Sequence, residues 1–169
     1  VVNHANDGAG NLQSNGNYIN NVLFTYNGNV WSSASPIYWK DATTHADFFV
    51  YYPYAAVTNV ADYAFNVKED QSTVAAYKAC EFLYGTAKNL APTANVVNVT
   101  TYHSMSCAVI KLAAGDGFTD EDLADANIAL ELHGLKTEAS INLSTGEVSP
   151  VGDTKTIVPL KDGGKYIAI

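Results

Sequence analysis

Short runs of apolar, β-branched and aromatic residues alternate with polar positions along most of the chain. Such runs are typical of β-strands that bury one face. The pair Asn27-Gly28 separates two of these runs and predicts a hairpin, because both residues tolerate a positive φ. The aromatic run over residues 46–54 predicts a strand buried on at least one face, with Pro53 at its end or at an edge position. Further strands are predicted over residues 18–26, 62–67, 96–102, 106–112, 127–132, 139–143, 156–160 and 166–169.

Two segments depart from the strand pattern. Apolar residues within 70–84 approach helical spacing, with Asp70 and Ser72 as candidate caps. Thr119 and Asp122 match the first and last positions of a capping box and predict one helical turn. A parallel α/β fold would need longer helices between its strands. The pattern therefore predicts an all-β sandwich of about seven to nine strands with one or two short helices.

The chain has 169 residues, which fits one domain. Residues 1–17 are rich in Asn and Gly and predict a flexible N-terminal arm, so the sandwich domain is expected over residues 18–169. The sequence stops within an apolar run at residues 166–169. A terminal carboxylate beside side chains that favour burial is unusual, so the gene product is expected to continue beyond residue 169.

The composition of the chain argues against some classes of binding partner. Charged residues make up 15% of the chain and the net charge is −8, against about 25% charged residues in typical domains. Such a surface repels a phosphate backbone, which disfavours nucleic acid and anionic membranes as partners. No run approaches the ~20 apolar residues of a membrane span. Cys80 and Cys107 are an isolated pair, and both a disulfide and two free thiols remain open.

The sequence contains no motif for catalysis. His4, His45, His103 and His133 are scattered and match no metal-ligand spacing. The chain has neither a nucleophile elbow nor a phosphate-binding loop. We therefore predict no enzymatic activity, and no catalytic, cofactor-binding or metal-binding residues.

One acidic cluster has two interpretations. Calcium prefers several carboxylates from one loop, but the EF-hand order is missing. Acidic residues also favour the first turn of a helix through its dipole, which is the preferred interpretation. The cluster contains Asp116, Asp120, Glu121, Asp122 and Asp125.

Aromatic side chains offer a second candidate surface. Exposed in a row, they would form a platform for sugars, whereas aromatic residues in alternating strands mostly belong to the core. The candidates are Trp31, Trp39, Tyr51, Tyr52 and Tyr54.

Several short motifs follow one another in a fixed order over residues 31–169. The series comprises Trp39 before the aromatic strand 48–54, Asp70-Gln71-Ser72, Cys80-Glu81-Phe82-Leu83-Tyr84-Gly85, His103-Ser104-Met105-Ser106, Gly117-Phe118-Thr119-Asp120-Glu121-Asp122-Leu123 and Leu143-Ser144-Thr145-Gly146-Glu147-Val148. Each motif alone is weak, but their joint order is fairly specific. It resembles the fimbrillin (Mfa-like) family, the shaft and accessory subunits of Bacteroides-type fimbriae.

This resemblance implies a transthyretin-like β-sandwich of about seven antiparallel strands, the first of two domains in a subunit. It also implies a lipoprotein precursor that is exported through the outer membrane and trimmed at its N-terminus. Subunits of the family polymerise when a strand of one fills a groove in the next, which is a form of β-augmentation. The expected partners are other fimbrial subunits and a host or bacterial surface receptor.

The leading hypothesis is a structural subunit, accessory or tip protein of cell-surface fimbriae that assembles through its sheet edges and contributes to adhesion. A secreted carbohydrate-binding module and a fragment of an enzyme are the alternatives, since a fold does not fix function. The expected core residues are Phe48, Val50 and Tyr52 on one face of a strand, with Val109 and Ile110 in a neighbouring strand.

Overall fold

The computed structural model describes residues 2–5 and 11–169, and these residues form twelve strands and two short helices. Neither helix is long and apolar enough to cross a membrane. The helices are α1 (Val74–Lys78) and α2 (Asp120–Asp125). The strands are β1 (Val2–Ala5), β2 (Phe24–Tyr26), β3 (Trp31–Ser33), β4 (Ala46–Tyr52), β5 (Tyr63–Asn66), β6 (Leu83–Leu90), β7 (Tyr102–His103), β8 (Ala108–Lys111), β9 (Leu132–Asn142), β10 (Glu147–Ile157), β11 (Leu160–Asp162) and β12 (Lys165–Ala168).

The strands form four sheets, in the orders β1-β4-β6-β7, β10-β9-β5, β11-β12-β8 and β2-β3. The registered strand pairs of the first, third and fourth sheets are antiparallel. The predicted all-β class with two short helices is confirmed. The strands are more numerous than the predicted seven because several are only two to four residues long.

The chain divides into two compact units, and each unit draws on three separate segments of the sequence. The expected single domain over residues 18–169 remains a prediction. Unit 1 contains Val1–Phe65, Phe82–Ser104 and Ser140–Ser149, and unit 2 contains Asn66–Glu81, Met105–Ala139 and Pro150–Ile169.

The core of unit 1 is centred on Phe82, which is fully buried. Its ring lies 5.1 Å from that of Phe65, 6.0 Å from that of Tyr63 and 6.3 Å from that of Tyr51, measured between ring centroids. Tyr51 lies on β4, whereas Tyr63 and Phe65 lie on β5, so side chains from two different sheets meet at Phe82. This face-to-face packing is what a β-sandwich requires.

The predicted core face of β4 is wrong. Phe49 and Tyr51 are buried, while Phe48 and Val50 are half-buried and Tyr52 is exposed. Residues 48–52 are all apolar or aromatic, so the strand has no alternation from which its buried face could be identified. A bulge between Ala46 and Phe48 also shifts the alternation by one residue.

The core assignment of β8 is also wrong in part. Val109 is exposed and Ile110 is half-buried. A strand of four residues at the end of a sheet has little surface on which other elements can pack, so its apolar residues need not enter a core.

The short helix predicted within residues 70–84 is confirmed, and it covers Val74–Lys78. Helix α1 begins after Thr73, whose hydroxyl accepts a hydrogen bond from the N–H of Ala76, and Lys78 is its last residue. Asp70 does not cap the helix, because its carboxylate accepts the N–H of Ser72 instead. Residues 83–90 form β6, since pairing with β4 and β7 overrides the helical spacing of a short apolar run.

Other strand boundaries also differ. The predicted strand over 96–102 is reduced to its last residue, which opens β7, and Val96 is 83% exposed. Of the predicted strand over 127–132 only Leu132 lies in a strand, as the first residue of β9, and the predicted strand over 18–26 is reduced to β2. These runs have strand-like composition, but among the described residues no named strand includes residues 96–101 or 127–131, and propensity alone does not hold a strand.

The described residues of the predicted N-terminal arm, 2–5 and 11–17, contact the rest of the protein or one another. Strand β1 pairs with β4 from Val2↔Phe49 to Ala5↔Ala46. Leu12 is buried, and the buried side chain of Asn17 exchanges hydrogen bonds with the backbone of Gln13. Residues 6–10 lie outside the described residues, and the predicted boundary at residue 18 remains a prediction.

In unit 2, Gln71 is a fully buried polar side chain that satisfies three backbone groups. Its amide oxygen accepts the N–H of Ile169 at 2.9 Å. Its amide nitrogen donates to the carbonyl oxygens of Ile169 at 2.7 Å and Lys68 at 2.9 Å. One side chain therefore joins the last residue of the chain to the segment that precedes α1.

We expect the substitution Gln71→Leu to lower the free energy of unfolding by about 2–4 kcal/mol, because it leaves buried backbone donors and acceptors without partners. Urea unfolding of the whole protein measures the change. Gln13→Leu is the matched control: Gln13 is exposed, and we expect a change within about 0.5 kcal/mol. Equal unfolding midpoints for the two variants would contradict this role of Gln71.

Candidate assembly edges and aromatic surface

Strand β8 is an end strand of the β11-β12-β8 sheet and pairs on one side with β12, from Ala108↔Ala168 to Lys111↔Lys165. Val109, in the middle of β8, is 56% exposed. Residues 106–112 contain no Pro or Gly that would interrupt an added strand. An exposed, uninterrupted end strand presents backbone N–H and C=O groups to another strand, so β8 is a candidate edge for assembly.

Strand β10 is a longer end strand but is poorly suited to the same role. Pro150 lacks a backbone N–H, and Gly152 has φ +69, which distorts the strand locally. Natural proteins use these features to protect sheet edges from unwanted pairing.

The first sheet has two short end strands around two longer inner strands. The pairing of β1 with β4 stops at Phe49, and that of β7 with β6 covers only Leu83 and Tyr84. Thr100 lies just before β7 in the sequence, and its backbone passes close to β6. A Cβ atom added to Gly85 would lie 2.1 Å from the carbonyl oxygen of Thr100. Backbone outside the strands therefore covers part of β6.

The aromatic residues proposed as a sugar platform divide into packed and exposed groups. Trp39 donates its indole N–H to the carbonyl of Thr93 at 2.8 Å and meets Phe48 edge to face. Tyr51 is buried, and desolvation raises the pKa of its hydroxyl to about 12. Trp31, Tyr52 and Tyr54 are exposed.

Trp31 has a ring partner that the sequence analysis missed. The register of the hairpin places Trp31 directly opposite Tyr26, and their ring centroids are 5.3 Å apart with an interplanar angle of 36°. The Asn27-Gly28 turn is the sequence signal that could have identified Tyr26, because the turn determines which residues face each other.

Three members of the acidic cluster, Asp120, Glu121 and Asp122, lie in the first turn of helix α2, and Asp122 completes its cap. Thr119 accepts the N–H of Asp122 through its hydroxyl, and the carboxylate of Asp122 accepts the N–H of Thr119 in return. Hydrogen bonds from Thr119 lower the pKa of Asp122. The capping interpretation is confirmed. Across residues 2–5 and 11–169, no group of three or more His, Cys, Asp or Glu side chains is placed to hold a metal ion.

His133 links a carboxylate and a hydroxyl in unit 2. Its Nε2 lies 3.1 Å from a carboxylate oxygen of Glu131, and its Nδ1 lies 2.9 Å from the hydroxyl of Thr156. The order of groups resembles that of a catalytic triad. The side chains of His133 and Glu131 are both mostly exposed, so water competes for these contacts and no desolvation activates the hydroxyl.

Both cysteines are free thiols, so the disulfide alternative is not realised. Cys80 is buried, accepts the N–H of Lys68 at 3.1 Å and donates to the carbonyl of Ala76 at 3.2 Å. Burial raises the pKa of its thiol, which keeps it protonated. Cys107 is exposed and lies 3.6 Å from the hydroxyl of Tyr77. Cys80 therefore has a structural role.

The fold of this chain is similar to that of a solved structure. A crystal structure from Bacteroides uniformis ATCC 8492, provisionally described as a cell adhesion protein, is similar with a TM-score of 0.73 and 22% identity. The match covers 99% of this chain and 65% of that one, so this chain spans less than two thirds of its length. No curated protein matches. The model of the fimbrillin-like family matches residues 4–169, and the chain therefore belongs to the fimbrillin-like family.

Proposed function

We propose that the protein is a structural subunit, accessory or tip protein of cell-surface fimbriae, and that it assembles by β-strand addition and contributes to adhesion. The match of the fimbrillin-like family model to residues 4–169 carries this proposal. The similarity to a structure provisionally described as a cell adhesion protein supports the adhesive part. In this proposal the protein is exported through the outer membrane as a lipoprotein precursor, and this chain is the first of two domains.

The proposed role is structural and involves no catalysis. The arrangement closest to a catalytic one, formed by Glu131, His133 and Thr156, lies on a water-exposed surface. Catalytic groups are normally held where water is excluded, because exclusion strengthens their electrostatic interactions.

Strand β8 is the proposed edge for assembly. A strand from another subunit would extend the β11-β12-β8 sheet by pairing with the backbone of β8 on the side away from β12. It would also cover the side chain of Val109, which is 56% exposed. Burial of apolar surface adds to the backbone hydrogen bonds, and together they would stabilise the joint.

We expect Val109→Asp to reduce polymer formation at least tenfold, because a charge on an edge strand opposes the addition of another strand. The measurement is the fraction of full-length protein that sediments with fibres sheared from the surface of the cells that produce it. Val96→Asp is the matched control, since Val96 is 83% exposed and lies outside every strand. Thermal unfolding of both variants verifies that they fold.

Wild-type levels of fibre for Val109→Asp would exclude β8 as the assembly edge. An equal loss of fibre for both variants would show a general effect of added charge, and this would also contradict the proposed role of β8.

A further inference from the structure

The β2-β3 hairpin displays two aromatic rings that the assembly proposal does not use. We infer that this hairpin is a binding site for neutral glycans, with the rings of Tyr26 and Trp31 as the surface on which a sugar stacks. The inference deepens the adhesive part of the proposed function and rests on it for its biological context. It requires no sheet edge.

The two rings form one continuous exposed surface. Tyr26 and Trp31 are 55% and 61% exposed, and their side chains belong to directly opposed residues of the ladder. Their ring planes are inclined by 36° at a centroid separation of 5.3 Å, so the two rings are in contact and form one exposed aromatic patch. Among the described residues, each is the other's only aromatic ring partner. Exposed aromatic surface of this kind marks interaction sites.

The turn holds this surface in place before any ligand binds. The side-chain oxygen of Asn27 accepts the N–H groups of Asn29 and Val30, both at 3.0 Å. The hydroxyl of Tyr26 donates to the carbonyl of Gly28 at 2.9 Å, which fixes the orientation of the ring. Gly28 has φ +96, a conformation that glycine adopts without strain. A surface ordered in advance loses less conformational entropy on binding.

The charge distribution points to an uncharged ligand. Residues 11–39 contain no Asp, Glu, Lys, Arg or His, although the whole chain has a net charge of −8. An acidic glycan or an anionic lipid headgroup would therefore find no cation in this segment, and the field of the whole protein would repel it.

Uncharged residues flank the rings. Phe24 and Ser33 are the next opposed pair on the same face of the ribbon, and Asn27 follows Tyr26 in the turn. Sugars present apolar C–H groups on one face and hydroxyls around the rim. Aromatic faces beside amides and hydroxyls match both features without any charge. An amphipathic peptide helix would instead need a hydrophobic groove, which a two-stranded ribbon does not supply.

The test begins with a printed array of neutral, sialylated and sulfated glycans, probed with the full-length protein. Tryptophan fluorescence is then titrated with the best neutral glycan in a Trp39→Phe background, in which Trp31 is the only tryptophan. We expect binding to at least one neutral glycan and a shift in the emission of Trp31. Trp31→Ala, made in the wild-type background, and Tyr26→Ala should each weaken binding to the array at least tenfold. Tyr38→Ala, at another exposed aromatic residue outside the hairpin, should bind like wild type.

The inference is overturned if every neutral glycan binds the wild-type protein no more tightly than it binds the Trp31→Ala variant. It is also overturned if the protein binds only acidic glycans. It is equally overturned if Trp31 responds to phosphatidylcholine vesicles or to an apolar helical peptide and to no glycan. The proposed fimbrial role is tested separately by the location of the protein on fibres. A failure of one test is therefore distinguishable from a failure of the other.

Discussion

Replacing Phe82 by alanine should lower the free energy of unfolding by about 3–5 kcal/mol, the range for truncation of a large buried aromatic residue. The ring of Phe82 is fully buried and packs against the rings of Tyr51, Tyr63 and Phe65. Its removal would leave a cavity where side chains of two sheets meet. These neighbours are rings attached to hydrogen-bonded strands, so they cannot easily close the space.

Denaturant unfolding of the whole protein measures this loss. Phe118→Ala is the matched control, because Phe118 is mostly exposed in the turn before α2 and should cost less than about 1 kcal/mol. Similar losses in the two variants would mean that Phe82 does not organise the core of unit 1.

Gly85→Ala should strongly destabilise the fold, although it adds only one methyl group. A Cβ at Gly85 would lie 2.1 Å from the carbonyl oxygen and 2.9 Å from the carbonyl carbon of Thr100. Both are backbone atoms, so relief requires the chain near Thr100 to move away from β6. Overpacking of this kind costs about 1–3 kcal/mol and occasionally more, and we expect the upper end.

Gly115→Ala provides the control, since a Cβ at Gly115 would meet no atom within 4 Å. The measurement is the midpoint of urea unfolding for both variants. If the Gly85→Ala variant is too unstable to purify, its absence from the soluble fraction of the cell lysate, together with the presence of Gly115→Ala there, also shows that it is destabilised. A Gly85→Ala variant as stable as Gly115→Ala would contradict the close approach of Thr100.

Features that depend on residues close in sequence were predicted well. Thr119 and Asp122 form the expected capping box, and Asn27-Gly28 forms the expected hairpin. The turn after Asp162 and the strand that follows it are also present. Each of these depends on side chains or dihedral angles within a few residues, and such interactions can be read directly from sequence.

Features that depend on distant pairing were not predicted. Strand β6 exists because β4 pairs along it, and its first residues share the helical spacing of the segment before them. The buried face of β4 could not be identified, because aromatic residues such as Phe48 and Phe49 occupy both faces. Local pattern gives the type of an element only when one periodicity clearly dominates.

The aromatic surface shows the same limit. Sequence composition identified Trp31, but also Trp39 and Tyr51, which are packed against other groups. Tyr26 was missed because its role depends on the register across the turn. Exposure is a property of the folded chain, and aromatic residues in strands are equally suited to a core and to an interface.

Immuno-electron microscopy of cells that produce the full-length protein tests the fimbrial assignment most directly. An antibody to this domain should label thin surface fibres, along their length for a shaft subunit or at one end for a tip or anchor protein. A strain without the gene should lose the label. Diffuse label on a surface without labelled fibres would contradict the fimbrial role, even if the hairpin binds glycans.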